Sequence, residues 1–248
     1  MPMKLISLLN EKNRDAYRNR PITIGFLGDS VTNGCFEVLP AMTQNGKDGF
    51  DVVFDTENSY SAYLRKILNR FYPKAQINII NAGISGDNAC GGLGRMERDL
   101  LLYHPDLTVV CYGLNDCMSG EAGLEGYHDA LVSIVQKLKQ CESEIILMTP
   151  QPICTRVHTQ LRGDELRKVA ADLVKNFQEG IFDRYMQQVR MVAQEESVPL
   201  CDAYAKWMTL YNGGVDITDL LANYLNHPTR DMHWIFAILL IETIFRED

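Results

Sequence analysis

No apolar run in this 248-residue chain is long enough to span a membrane; the most hydrophobic one, near the C-terminus, is short and carries Glu242. There is no long basic run either. The formal net charge is −8, which makes nucleic acid and an anionic membrane surface poor partners for the chain as a whole. The seven cysteines include no Cys-x-x-Cys pair, so neither a zinc finger nor a disulfide framework is expected. Scattered thiols fit a reducing compartment. The N-terminal stretch MPMKLISLLNEKNRDAYRNRP passes from a short apolar patch into charges with no small-residue cleavage site, so it does not read as a secretory leader and the expected location is the cytoplasm. No internal repeat and no linker interrupts the chain. Its length and 46% hydrophobic content suit a single domain over residues 1–248, with 1–20 as an N-terminal helical extension.

What is present is an alternation of short β-rich runs and longer helical patterns. Strands are expected at 22–27, 77–81, 107–112, 144–148 and 198–201, each apolar almost throughout, as in strands covered on both faces. Helices are expected near 59–71, 93–103, 124–141, 164–194 and 230–246, with Pro73, Pro105 and Pro150 stopping the element before each. The pattern predicts an α/β fold: a three-layer α/β/α sandwich around a five-stranded parallel sheet. Two segments, 35–58 and 151–163, read as irregular insertions leaving the carboxyl ends of strands, where such sheets bind ligands.

Four short stretches carry the chemistry: GDSVTNG at 28–34, NAGISGDNA at 81–89, GLNDC at 113–117 and NHPTRDMH at 226–233. Ser30 alone would read as a turn residue or a helix N-cap. A Gly-x-Ser-x-Gly elbow is missing around it, which disfavours the α/β-hydrolase architecture. Nor is there a GxGxxG motif or a Walker-type lysine near the glycines of 90–94, so a flavodoxin-like nucleotide or flavin binder lacks its phosphate loop. Taken together and in this order, the four stretches resemble the GDSL, or SGNH, hydrolase family, whose four sequence blocks supply Ser, Gly, Asn and His. The resemblance runs from about residue 22 to the last helix. It implies a flavodoxin-like SGNH hydrolase fold and a serine esterase working by acyl-enzyme chemistry, with Ser30 as nucleophile. It also implies an oxyanion hole built from Ser30, Gly86 and Asn115. No metal and no organic cofactor is required.

The base is expected at His227, directly before Pro228 at the entry to the last helix, in preference to His233, which the expected helix would place one and a half turns inside. His104, His128 and His158 read as surface or packing residues. The family commonly ends in Asp-x-x-His; here Tyr224 stands three before His227 and Arg230 three before His233. Asn223 is therefore taken as third catalytic member beside Ser30 and His227, with Asp219, Asp231 or a backbone carbonyl as alternatives. An ionised group would serve better, so Asn223→Asp is expected to raise activity. The substrate is expected to be a small ester, with a short acyl group such as acetyl on a carbohydrate or other polar alcohol. An acyltransferase, a lipase or thioesterase, and a catalytically weakened glycan-binding protein are the competing readings, and a homo-oligomer is left open.

Overall fold

The computed structural model describes residues 3–42 and 48–246. Its centre is a parallel sheet of β1 (Ile22–Gly28), β4 (Ile77–Gly83), β5 (Leu107–Cys111), β6 (Glu144–Thr149) and β7 (Leu200–Asp202), in the order β4-β1-β5-β6-β7. Every residue of β1 and β5 is buried, which is why their sequences are apolar without alternation.

The order of the strands sets the layers. Helix α3 (Tyr60–Phe71) carries the chain from β1 to β4, and α4 (Ala89–Asp99) carries it back across β1 to β5. Right-handed crossovers put these two helices on opposite faces of the sheet. Helices α5 (Leu124–Gln140) and α7 (Ile181–Glu195) join α4, while α9 (His233–Ile244) packs on α3. Reversal of direction at β1 makes a crevice between the carboxyl ends of β1 and β5, where this topology binds ligands. The N-terminal segment is docked on this body: α1 (Lys4–Arg14) buries Leu5 and Leu9, and the Lys4 and Leu5 N–H groups donate to the Glu144 carboxylate at 2.6 Å.

Several elements differ from expectation. The 164–194 helix is two helices, α6 (Asp164–Gln178) and α7, because Gly180 takes a left-handed conformation (φ 68°) between two amphipathic patterns of similar period. Segment 35–58 contains an antiparallel hairpin, β2 (Cys35–Met42) with β3 (Asp48–Phe54). Its Pro40 and clustered polar residues masked the pairing. The short helices α2 (Ser30–Asn33) and α8 (Ala203–Asn212) were not expected. Helix α4 begins four residues early, capped by Asn88, whose side chain accepts the Gly91 N–H. All seven cysteines are free thiols, five of them buried. Among the described residues no helix is long and apolar enough to cross a membrane.

Candidate active site

Ser30 is the first residue after a tight turn at the end of β1. The Asp29 carboxylate caps α2 by accepting the Val31 N–H at 3.0 Å. Its other oxygen is buried without a partner, and burial, with Asp116 and Asp87 nearby, pushes its pKa up to about 7. The turn is pinned from beside it. The Asn33 amide donates to the Gly83 carbonyl, and the Asn81 amide donates to the Thr32 carbonyl at 2.8 Å. Gly83 is required there, since a Cβ would stand 2.3 Å from the Asn33 nitrogen.

The Ser30 hydroxyl lies 2.9 Å from Nε2 of His227, and both residues are buried. Nδ1 of the same ring lies 2.8 Å from the carbonyl oxygen of Phe36. A carbonyl can only accept, so Nδ1 carries the proton and Nε2 presents its lone pair to the serine. Burial lowers the His227 pKa below the ordinary histidine value, with the Phe36 hydrogen bond and the charge of Glu37 acting in the opposite sense.

Asn223 does not touch the ring. Its Oδ1 accepts the backbone N–H groups of Leu225, Asn226 and His227 at 3.0, 2.9 and 2.9 Å, and its amide donates to Asn226 Oδ1 at 3.0 Å. Asn223 therefore builds the turn that presents His227 and leaves the ring to Phe36, a correction of the expected third member. The turn includes Tyr224 in the left-handed region (φ 55°) and is closed by the Ala222 N–H donating to the His227 carbonyl at 2.7 Å. Asp219 is engaged elsewhere, paired with Arg156 at 2.6 Å and 3.3 Å from His158; Asp231 is solvent-exposed. Of the alternatives raised by the sequence, a backbone carbonyl is the one found at Nδ1.

His233 is the first residue of α9, not a turn and a half inside it. Its buried Nδ1 accepts the Tyr60 N–H at 3.0 Å, capping α3, and burial pushes its pKa down to about 3. His128 lies near Asp129 and Glu195, and His158 is stacked on Tyr224 with ring centroids 3.9 Å apart.

Gly86 and Asn115 lie on the loops after β4 and β5, the two strands that flank β1. Gly86 is exposed with φ 79°, and no atom lies within 4 Å of where a Cβ would project. Among the described residues the backbone N–H groups of Ser30 and Gly86 donate to no protein acceptor. The Asn115 amide spends one N–H on the Asp87 carbonyl at 2.7 Å, which joins the two loops and leaves the other N–H to donate. Asp116 supports them, accepting from the Ala89 and Gly113 N–H groups at 3.0 Å each; burial pushes its pKa up to about 6.

One organising residue escaped the sequence reading. Arg95, on α4, pairs with the Asp87 carboxylate at 2.7 Å and donates to the Ala82 carbonyl at 2.7 Å, the Gly28 carbonyl at 3.0 Å and the Tyr112 hydroxyl at 3.0 Å. It ties together the carboxyl ends of β4, β1 and β5. An arginine on an amphipathic helix carries no sequence signal of such a role. Between the hairpin and the His227 turn opens a cavity of about 320 Å³, lined by Glu37, Val38, Arg162, Leu166, Asn223 and Tyr224 among others. Among the described residues no group of three or more His, Cys, Asp or Glu is placed to hold a metal ion.

Comparison with known proteins gives a consistent picture. The model of the GDSL-like lipase/acylhydrolase family matches residues 26–235. An acetylxylan esterase of Geobacillus stearothermophilus is 26% identical over 232 residues, covering 88% of this chain and 92% of that protein. A crystal structure of an acetylxylan esterase from the same organism superposes with a TM-score of 0.63 at 24% identity, covering 91% of this chain and 95% of that one. A two-domain esterase active on acetylated mannans superposes with a TM-score of 0.68 at 17% identity, over 99% of this chain and 54% of that one.

Proposed function

The chain belongs to the GDSL-like lipase/acylhydrolase family, and from that premise we propose a serine esterase in which Ser30 and His227 carry out the chemistry on an acetyl or other short-chain acyl ester of a carbohydrate. The observation that carries the reading is the file of hydrogen bonds from Ser30 Oγ through the His227 ring to the Phe36 carbonyl, at 2.9 and 2.8 Å.

In the first step Ser30 Oγ attacks the ester carbonyl carbon while its proton passes to Nε2, which is poised with a free lone pair. The charge that collects on the carbonyl oxygen is met by the N–H groups of Ser30 and Gly86 and the remaining amide N–H of Asn115. The protonated ring then gives its proton to the departing alcohol, leaving an acyl group on Ser30. Water enters, loses a proton to Nε2 and releases the acid. The imidazolium formed midway is steadied by a carbonyl dipole in place of a full negative charge. Because burial lowers the His227 pKa, the ring is neutral and competent as a base below the pH at which an ordinary histidine would be protonated.

The carbohydrate ester is supported by the relatives, named for acetylxylan and acetylated mannans. Seven free thiols support a reducing, cytoplasmic location. The test is hydrolysis across 4-nitrophenyl acetate and acetylated xylo- and manno-oligosaccharides, with labelling by a fluorophosphonate. Ser30→Ala is expected to lower kcat by roughly 10⁴-fold or more and to abolish the label while leaving the melting temperature near that of the parent. Activity of Ser30→Ala close to the parent removes Ser30 from the mechanism.

A further inference from the structure

The Phe36 carbonyl reaches His227 because of an irregularity in the hairpin. Cys35 pairs with Phe54 and Val38 with Val52, so two residues of β2, Phe36 and Glu37, face the single residue Val53 of β3. This is a β-bulge, and a bulge releases its residues from the ladder and re-aims them. Here the released Phe36 carbonyl turns to His227 Nδ1 at 2.8 Å, and the Glu37 side chain turns to Arg230.

Arg230 stands three residues after His227, between the turn that bears the histidine and α9. Its Nη1 and Nη2 grip the Glu37 carboxylate at 2.6 and 3.1 Å, and its Nε donates to Asp55 Oδ2 at 2.7 Å. The guanidinium carbon lies 4.3 Å from the centre of the Phe36 ring. Asp55 follows β3 directly, and its N–H donates to the Gly34 carbonyl just before β2 at 2.8 Å. One side chain thus holds both residues of the bulge and the far root of the hairpin against the turn that bears the base.

We propose that Arg230 is a positioning residue: through Glu37, Asp55 and the Phe36 ring it locks the bulge, so that the Phe36 carbonyl performs the orienting task the family usually gives to an acid three residues before the histidine. This rests on the esterase reading for its catalytic consequence, though not for its structural one. A planar fork is needed to hold two carboxylates and lie over a ring at once; a lysine offers only a point charge. The Arg230 and Glu37 side chains are about one-third exposed, so the contacts contribute little to global stability. Their effect falls on where the carbonyl sits.

The experiment follows the His227 Nδ1–H proton by NMR of the full chain with labelled histidine, alongside kcat and KM for 4-nitrophenyl acetate and melting temperature. The parent is expected to show a slowly exchanging Nδ1–H resonance. Arg230→Gln should lose or broaden it and lower kcat by about 10²-fold, with KM and melting temperature near parental values. Arg230→Lys should recover only part of both. The isosteric double variant Glu37→Gln/Asp55→Asn, which leaves Arg230 in place, should behave like Arg230→Gln and decides the matter if Arg230→Gln does not fold. A folded variant of either kind with parental resonance and kcat overturns the proposal, as does a change confined to KM. If the parent neither hydrolyses esters nor takes the label on Ser30, the esterase reading fails, and the resonance alone then decides the clamp.

Discussion

A neutral imidazole held between a hydroxyl and a carbonyl has one productive tautomer, and in this chain Phe36 imposes it from outside the side-chain repertoire. Asn223 shows how a residue beside His227 can hold it in place without touching the ring. Its Oδ1 collects three backbone N–H groups, and a carboxylate at the same place would collect the same three. Asn223→Asp is therefore expected to keep the turn and to leave kcat at or below the parental value, contrary to what the family pattern suggests. Asn223→Ala strips the acceptor from three N–H groups and should cost about 1–3 kcal/mol of stability, with kcat falling as His227 loses its place. Melting curves and 4-nitrophenyl acetate kinetics on both variants check this. A clear rise in kcat for Asn223→Asp would mean that the carboxylate reaches the ring.

Elements converge on the site because their ends are tied, not merely because they are parallel. Arg95 on α4 gathers the carboxyl ends of three neighbouring strands and the Asp87 carboxylate, while Asp116 stitches the start of α4 to the loop after β5. Truncating this arginine takes the cation from the Asp87 carboxylate, which keeps only the Tyr112 hydroxyl at 3.2 Å, and removes a donor from the Ala82 and Gly28 carbonyls in a poorly solvated place. Arg95→Ala is expected to destabilise the fold by roughly 3–5 kcal/mol and to lower kcat as well, because Asp87 and its neighbour Gly86 are freed to move. Arg95→Lys should restore part of the stability and less of the activity, since one ammonium cannot match the fork. Chemical denaturation with kcat measured on the same preparations would expose an error: a loss of less than about 1 kcal/mol for Arg95→Ala would place the strand ends under other control.

At the scale of the whole molecule, buried titratable groups make stability depend on pH in opposing senses. His233, pushed down to about 3 by burial, stays neutral in the fold while the unfolded chain takes up a proton, so its contribution is full above about 6.5 and is lost as pH falls towards 3. Asp29 runs the other way. Its folded pKa of about 7 lies above its ordinary 3.8, so between those values the fold holds a proton that the unfolded chain has released. Stability from that proton is present below about 3.8 and is lost as pH rises through 7. Asp29→Asn removes the titration. Relative to the parent it should gain stability by up to about 4 kcal/mol between pH 4 and pH 8. Urea denaturation of both proteins across that range is the measurement, and parallel curves would show that the carboxyl titrates normally in the fold.

Much of this could be read from the residues alone. Strands buried on both faces are apolar almost throughout, so β1 and β5 were legible, and with them the parallel sheet. The four blocks also fall just after strand ends or at the entry to the last helix, and it was their resemblance to the GDSL, or SGNH, family that pointed to Ser30, Gly86, Asn115 and His227 as candidates. These are local properties: composition, period and the order of short motifs along the chain. Two things were decided only by the tertiary structure. Gly180 breaks what reads as one helix because a left-handed residue between two amphipathic patterns leaves each period intact. The partner of His227 Nδ1 is a carbonyl 191 residues away, and every residue but proline carries an identical carbonyl and N–H, so nothing in the identity of Phe36 marks it. Which carbonyl arrives depends on a bulge in a hairpin, and that is a matter of three-dimensional approach.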